Sequence, residues 1–275
     1  MMSHSYNELG YAVARRVFPE DEVARLREHY MTLRRRGSYE KDLVGVDASS
    51  RDPLKRYPRM AQMHRWDDTS LRWLIDARIR ALLNDLLGGD PYAVQTMLYF
   101  KPAGARGQAL HQDNFYLKAQ PGNCVAAWMA LDRADEDNGC MLVVPGSHTW
   151  PILCTVKADT TVSFTDVTVP VPTAYEVVPV VMEPGDVLFF NGSLVHGSLP
   201  NQTADRFRRA LIGHYIQAEA KQVGAYYHPA LRMDGTPLEL DVAEGGGACG
   251  EWASDVDGQP VVTMTGTHTV MRKHE

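Results

Sequence analysis

The sequence lacks the features that would commit it to a membrane or to nucleic acid. No apolar run approaches the ~20 residues of a membrane-spanning helix, and the opening MMSHSYNELGY has no apolar signal core. Basic residues do not dominate: 28 Lys and Arg stand against 34 Asp and Glu, a net charge of −6. A basic surface for non-specific nucleic-acid binding is therefore not expected. Cysteines number 4 and show no CxxC spacing. Cys124, Cys140, Cys154 and Cys249 read as reduced, mostly buried thiols in preference to zinc ligands or disulfides. No internal repeat and no long linker divides the chain. A cytoplasmic protein with no nucleic-acid or membrane partner is expected, as a monomer or homodimer.

What is present is ordinary globular material: 275 residues, 44% hydrophobic and 23% charged. One domain is expected over residues 1–275, with a mostly helical part (1–90), a strand-rich core (91–220) and an irregular tail (221–275) capable of acting as a lid. In FPEDEVARLREHYMTLRRR, Val23, Leu26, Tyr30 and Leu33 recur at helical spacing, with acids early and arginines late. LRWLIDARIRALLNDLLGG carries one wide apolar stripe that stops at Gly88-Gly89. From Tyr92 short apolar strands alternate with turns such as Asp-Asn-Gly, Pro-Gly-Ser and Glu-Pro-Gly-Asp. The pattern predicts a mainly β protein with flanking helices around a jelly-roll core.

The stretch ALHQDNFYL places His111 and Asp113 one residue apart. In an extended strand both would face the same way. Among the remaining histidines His196 differs, because it ends the apolar run VLFFNGSLVHGS, and a jelly roll can bring that run opposite His111. Two histidines and one carboxylate leave open positions on an octahedral metal, the pattern of non-haem Fe(II) oxygenases, whereas structural zinc would want four protein ligands. If the electrons come from 2-oxoglutarate, its far carboxylate calls for a buried arginine. RFRRALIGHYIQ supplies Arg206, Arg208 and Arg209. Alternation lets only one of Arg208 and Arg209 enter the barrel.

Together HQDNFYL, CVAAWMALDRADEDNGCMLVVPGSH, EPGDVLFFNGSLVHGS, RRALIGHY and the opening LGYAVARRVFPEDEVARLREHY resemble the phytanoyl-CoA dioxygenase family over roughly residues 6–217. The resemblance implies a double-stranded β-helix enzyme that uses Fe(II), 2-oxoglutarate and O2 and releases succinate and CO2. It implies His111, Asp113 and His196 as iron ligands and Arg208 as the 2-oxoglutarate clamp, twelve residues after His196 where the family has eleven. A one-residue insertion follows, and Arg209 stays a competitor. Ser198, Trp128 and Met97 match positions that help bind the co-substrate in relatives; the alternatives are a turn hydroxyl for Ser198 and core packing for Trp128 and Met97. Related halogenases replace the carboxylate by a small residue, so Asp113 implies hydroxylation or another oxidation. The expected substrate is a small polar metabolite or natural-product intermediate, an amine among them, in preference to an acyl-CoA. Two alternatives stand beside this reading: a cupin-like metal-dependent isomerase or dioxygenase that needs no 2-oxoglutarate, and a non-catalytic binding protein on the same fold.

Overall fold

Strand Cys124–Ala130 is buried at every position, because both of its faces are covered. Val125, Ala127 and Met129 pack toward the helical layer, against Tyr30, Leu83 and Phe189 among others. Ala126, Trp128 and Ala130 pack the other way, with Met141, Val143 and Val180 of a second sheet. A continuous apolar run, where a half-exposed strand would alternate, is what two covered faces require. The computed structural model describes residues 2–39, 45–244, 247–255 and 257–268.

The large sheet has eight strands. Along it run Tyr11–Ala14, Val187–Asn191, Cys124–Ala130, Ala210–Ile216, Tyr92–Tyr99, Ala230–Leu231 and Pro237–Leu238, with Met60–Ala61 also on Tyr92–Tyr99. The small sheet runs Gln108–His111, His196–Ser198, Met141–Val143, Val178–Val180. All of these pairings are antiparallel, and the sheets face each other as a jelly roll. Helices Glu20–Arg35, Asp68–Leu74 and Ala77–Leu87 cover the outer face of the large sheet.

Several expectations are corrected. The apolar stripe from Leu71 to Leu87 is two helices, because Asp76 caps the second: its carboxylate accepts the Arg78 backbone N–H at 2.8 Å. VLFFNGSLVHGS is two strands in different sheets, separated where Asn191 accepts the Ser193 N–H at 2.9 Å and turns the chain. The tail is not irregular: it contains the hairpin Gly247–Ser254 with Pro260–His268. Cys154 and Cys249 form a disulfide, contrary to the expectation of thiols throughout, whereas Cys124 and Cys140 are free and buried. That pairing joins the hairpin to the loop before Val156, and Trp252 packs edge-on to Trp150 and donates its indole N–H to Pro170 O at 2.8 Å. No helix among the described residues is long and apolar enough to cross a membrane.

Candidate metal centre

The ladder of the small sheet sets His196 directly opposite His111. Their ring centroids are 4.2 Å apart. Each Nδ1 lies 2.9 Å from a carbonyl two residues back, Ala109 for His111 and Leu194 for His196. A carbonyl only accepts, so Nδ1 holds the proton in both rings and Nε2 presents a lone pair to the cavity. Gln108 Nε2 donates to that lone pair on His111 at 3.0 Å.

Asp113 reaches the site by a route that strand alternation did not foresee. The strand ends at His111, and Asp113 has helical dihedrals (φ −65°, ψ −36°) before the turn Asn114–Leu117. Gln112 fixes this bend. Its amide donates to Ser193 O at 2.9 Å and Pro151 O at 3.1 Å, and its oxygen accepts the Leu153 N–H at 2.8 Å. Asp113 Oδ1 then lies 3.5 Å from His111 Nε2 and 3.7 Å from His196 Nε2. The three ligand atoms fall within 4.8 Å of one another, the one such cluster of three among the described residues.

Burial alone would raise the Asp113 carboxyl; the imidazoles of His196, His111 and His214 overcome it and hold the group well below the usual carboxylate range. Burial and then His111 push His196 down to about 4. Both groups are therefore in metal-binding protonation states at neutral pH. His214, not foreseen as a site residue, has Nε2 at 3.1 Å from Asp113 Oδ2 and an unpartnered buried Nδ1. Strand parity could have found it: Ala210 and Ile212 face between the sheets, and His214 shares their side.

Arg208 is 2% exposed, with Nε donating to Gly139 O at 2.9 Å, its Cζ 5.3 Å from the Trp128 ring centroid, and Nη1 without a partner. Burial pushes its pKa down to about 10. Arg209 points elsewhere, paired with Asp132 at 2.7 and 2.8 Å, and Arg206 pairs with Asp135 at 2.8 and 3.0 Å. Met97, Trp128, Ser198 and Arg208 line the same cavity as His111, Asp113 and His196, a space of about 260 Å³. The residues suit the expected groups: the donor set matches Fe(II), and an orphaned guanidinium nitrogen matches a carboxylate.

The mouth was only partly legible. Asn114, Phe115 and Tyr116 follow the Asp113 motif and read as bordering the substrate pocket, but only Tyr116 lines this cavity. Tyr99 also lines it, as do Arg59 and Thr165 from the variable segments 41–67 and 149–178, which the sequence offers as pocket covers. The tail contributes Tyr226 and Tyr227, whereas Trp252 lies against Trp150 and Tyr175 and is not among the lining residues. Of the tail glycines Gly245, Gly246 and Gly247, which would let the tail bend as a lid, Gly245 and Gly246 lie outside the described residues.

The sequence profile of the phytanoyl-CoA dioxygenase (PhyH) family matches residues 6–210. Phytanoyl-CoA dioxygenase 1 of Oryza sativa subsp. japonica is 31% identical over 57% of this chain and 56% of its own length. Peroxisomal phytanoyl-CoA dioxygenase of Rattus norvegicus is 27% identical over 79% of this chain and 68% of its own. Among solved structures, the non-haem α-ketoglutarate-dependent epimerase SnoN of nogalamycin biosynthesis superposes with a TM-score of 0.61 at 25% identity, over 80% of this chain and 83% of that one.

Proposed function

The chain belongs to the phytanoyl-CoA dioxygenase family of Fe(II)- and 2-oxoglutarate-dependent oxygenases, and from that premise we propose that His111, Asp113 and His196 hold its iron while Arg208 and Ser198 hold the far carboxylate of 2-oxoglutarate. Iron, 2-oxoglutarate and O2, when bound, supply the oxidation of a substrate C–H bond with release of succinate and CO2. The observation that carries the reading is Arg208: a fully buried cation with an unpartnered Nη1, lining the same cavity as the triad. A cupin-like metal enzyme without 2-oxoglutarate would have no use for it.

The protein's own residues bind and orient. The two carbonyl-fixed imidazoles and the His214-braced carboxylate present three ligand atoms on one side. Trp128, Phe190 and Ile212 give the cavity apolar walls that limit water. Toward the mouth, Arg59, Tyr116 and Tyr226 offer donors, and Asp113 is the only carboxylate among the lining residues. A cationic amine would find no counter-charge there, so the favoured substrate is a small neutral or anionic molecule rich in hydrogen-bond acceptors. Tyr226 and Tyr227 are the part of the tail that shapes this choice.

Aerobic incubation with Fe(II) and 2-oxoglutarate should yield succinate, accelerated by the correct member of a metabolite panel. Asp113→Ala should abolish both the turnover and Fe(II) binding while remaining folded. Tight metal binding by wild type with no 2-oxoglutarate consumption would favour the cupin-like alternative, and wild-type metal affinity in Asp113→Ala would remove the triad.

A further inference from the structure

Lys101 lies outside the cavity lining, yet its amine ends beside it. The side chain is 2% exposed and starts from a backbone in the left-handed region (φ 32°). Its Nζ is 2.8 Å from Ser198 Oγ, contacts Leu199 O, and is 3.5 Å from Gly139 O. Gly139 O is the same carbonyl that receives Arg208 Nε, so the two cations share one anchor. No carboxylate among the described residues pairs with either.

The hydrogen-bond inventory fixes what Ser198 can do. An ammonium only donates, and two of its three partners are carbonyls that only accept, which leaves the third N–H for Ser198 Oγ. The Gln108 backbone N–H also points at that oxygen, at 3.3 Å. With its lone pairs engaged by two donors, Ser198 can offer only its own O–H, and Ser198 lines the cavity together with Arg208. Two buried positive charges and one forced hydroxyl donor thus converge with no anion to receive them. Burial, then Arg208, hold the Lys101 amine well below the ordinary lysine range. A carboxylate guest would oppose that shift and favour the ammonium form that donates to Ser198.

We propose that Lys101 is a positioning residue of the co-substrate pocket: it holds Ser198 as a hydrogen-bond donor and adds a second positive charge behind Arg208, so that the pocket selects a 2-oxo acid ending in a carboxylate. This rests on the assignment of Arg208 to the far carboxylate of 2-oxoglutarate.

The test is anaerobic calorimetric titration of the Mn(II)-loaded full chain with 2-oxoglutarate and with 2-oxopentanoate, which has the same chain length without the far carboxylate. Lys101→Met should weaken 2-oxoglutarate binding roughly ten- to hundredfold, the range for a hydrogen bond to a charged group. Binding of 2-oxopentanoate should be unchanged. Equal weakening of both ligands would mean a merely structural role and overturn the proposal, as would no weakening of either. Lys101→Gln, which keeps a donor without the charge, serves the same comparison if Lys101→Met does not fold, and should fall between wild type and Met. Arg208→Met is the control for the underlying assignment: it should erase the preference for 2-oxoglutarate. If Arg208→Met keeps the preference, the Arg208 assignment fails; if Arg208→Met loses it and the Lys101 variants keep it in full, the Lys101 proposal alone fails.

Discussion

Replacing His214 by Leu tests how much of the metal affinity is set one layer behind the ligands. Its Nε2 is the hydrogen-bond partner of Asp113 Oδ2 at 3.1 Å, and the residue is 5% exposed. A hydrogen bond to a buried charged group is worth about 1.5–3 kcal/mol. Loss of such an outer partner typically costs 10–100-fold in metal affinity, about 1.4–2.7 kcal/mol, so the two estimates agree. The metal-free fold should suffer less, because Leu also removes the unpartnered Nδ1, whose burial has its own penalty. The sign with pH follows from the same carboxylate. Burial raises the Asp113 carboxyl and three imidazoles lower it; deleting one of them moves it upward, toward the pH at which protons compete with metal. Anaerobic titration with Mn(II) should therefore show a 10–100-fold loss for His214→Leu at neutral pH, and a larger loss in mild acid. His214→Gln, which retains an N–H donor, should recover part of it. If His214→Leu binds metal as wild type does, with an unchanged pH profile, the bracing of Asp113 by His214 is refuted.

Three further outcomes are expected. Arg209→Ala should lower stability by about 1 kcal/mol through loss of its Asp132 pair, yet leave 2-oxoglutarate affinity at wild type; a large affinity loss would mean that the wrong arginine has been assigned. His64 is pushed by burial, then by Arg65, from 6.5 to about 3. The unfolded chain takes up that proton below 6.5 and the folded chain does not until about 3, so stability falls as pH drops through this window, by about 1.4 kcal/mol per pH unit; urea melts of His64→Leu should show a shallower slope, and an unchanged one would refute the point. The Cys154–Cys249 pair closes a separation of 95 residues, worth about 4–5 kcal/mol in the chain-entropy account. Cys249→Ser should melt earlier than oxidised wild type and level with reduced wild type; coincidence of all three melts would argue against the bond.

Residues whose chemistry is out of place on an apolar strand were readable from the sequence. His111, His196 and Arg208 stand out because a polar group in such a run needs a reason, and the structure brings all three to one cavity. What the sequence hid was non-local. Local periodicity carried VLFFNGSLVHGS as a single strand, although its two halves belong to different sheets. Lys101 sits in YFKPAG, where Pro and Gly advertise a turn and nothing signals that the amine will meet Ser198, a contact across 97 positions. Strand alternation placed Asp113 near His111 for the wrong reason; the bend held by Gln112 through Pro151, Leu153 and Ser193 does that work. Cys154 and Cys249 carry no spacing signature, so only the tertiary structure could pair them.

The centre is divided between two sheets. His111, His196 and Ser198 belong to the small sheet, while Met97, Trp128 and His214 lie on the large one and Arg208 leads into it. A metal and a dicarboxylate seated between them would act as rivets through a laminate. Each would hold the layers together only while bound, and its binding free energy would appear as resistance to their parting. Amide hydrogen exchange in Ala210–Ile216 and His196–Ser198 should then slow together on loading, although these segments are remote in sequence and hydrogen-bonded in separate ladders. The enzyme would be most open to the solvent, and to proteolysis, in the interval after one turnover has ended and before the next 2-oxo acid arrives.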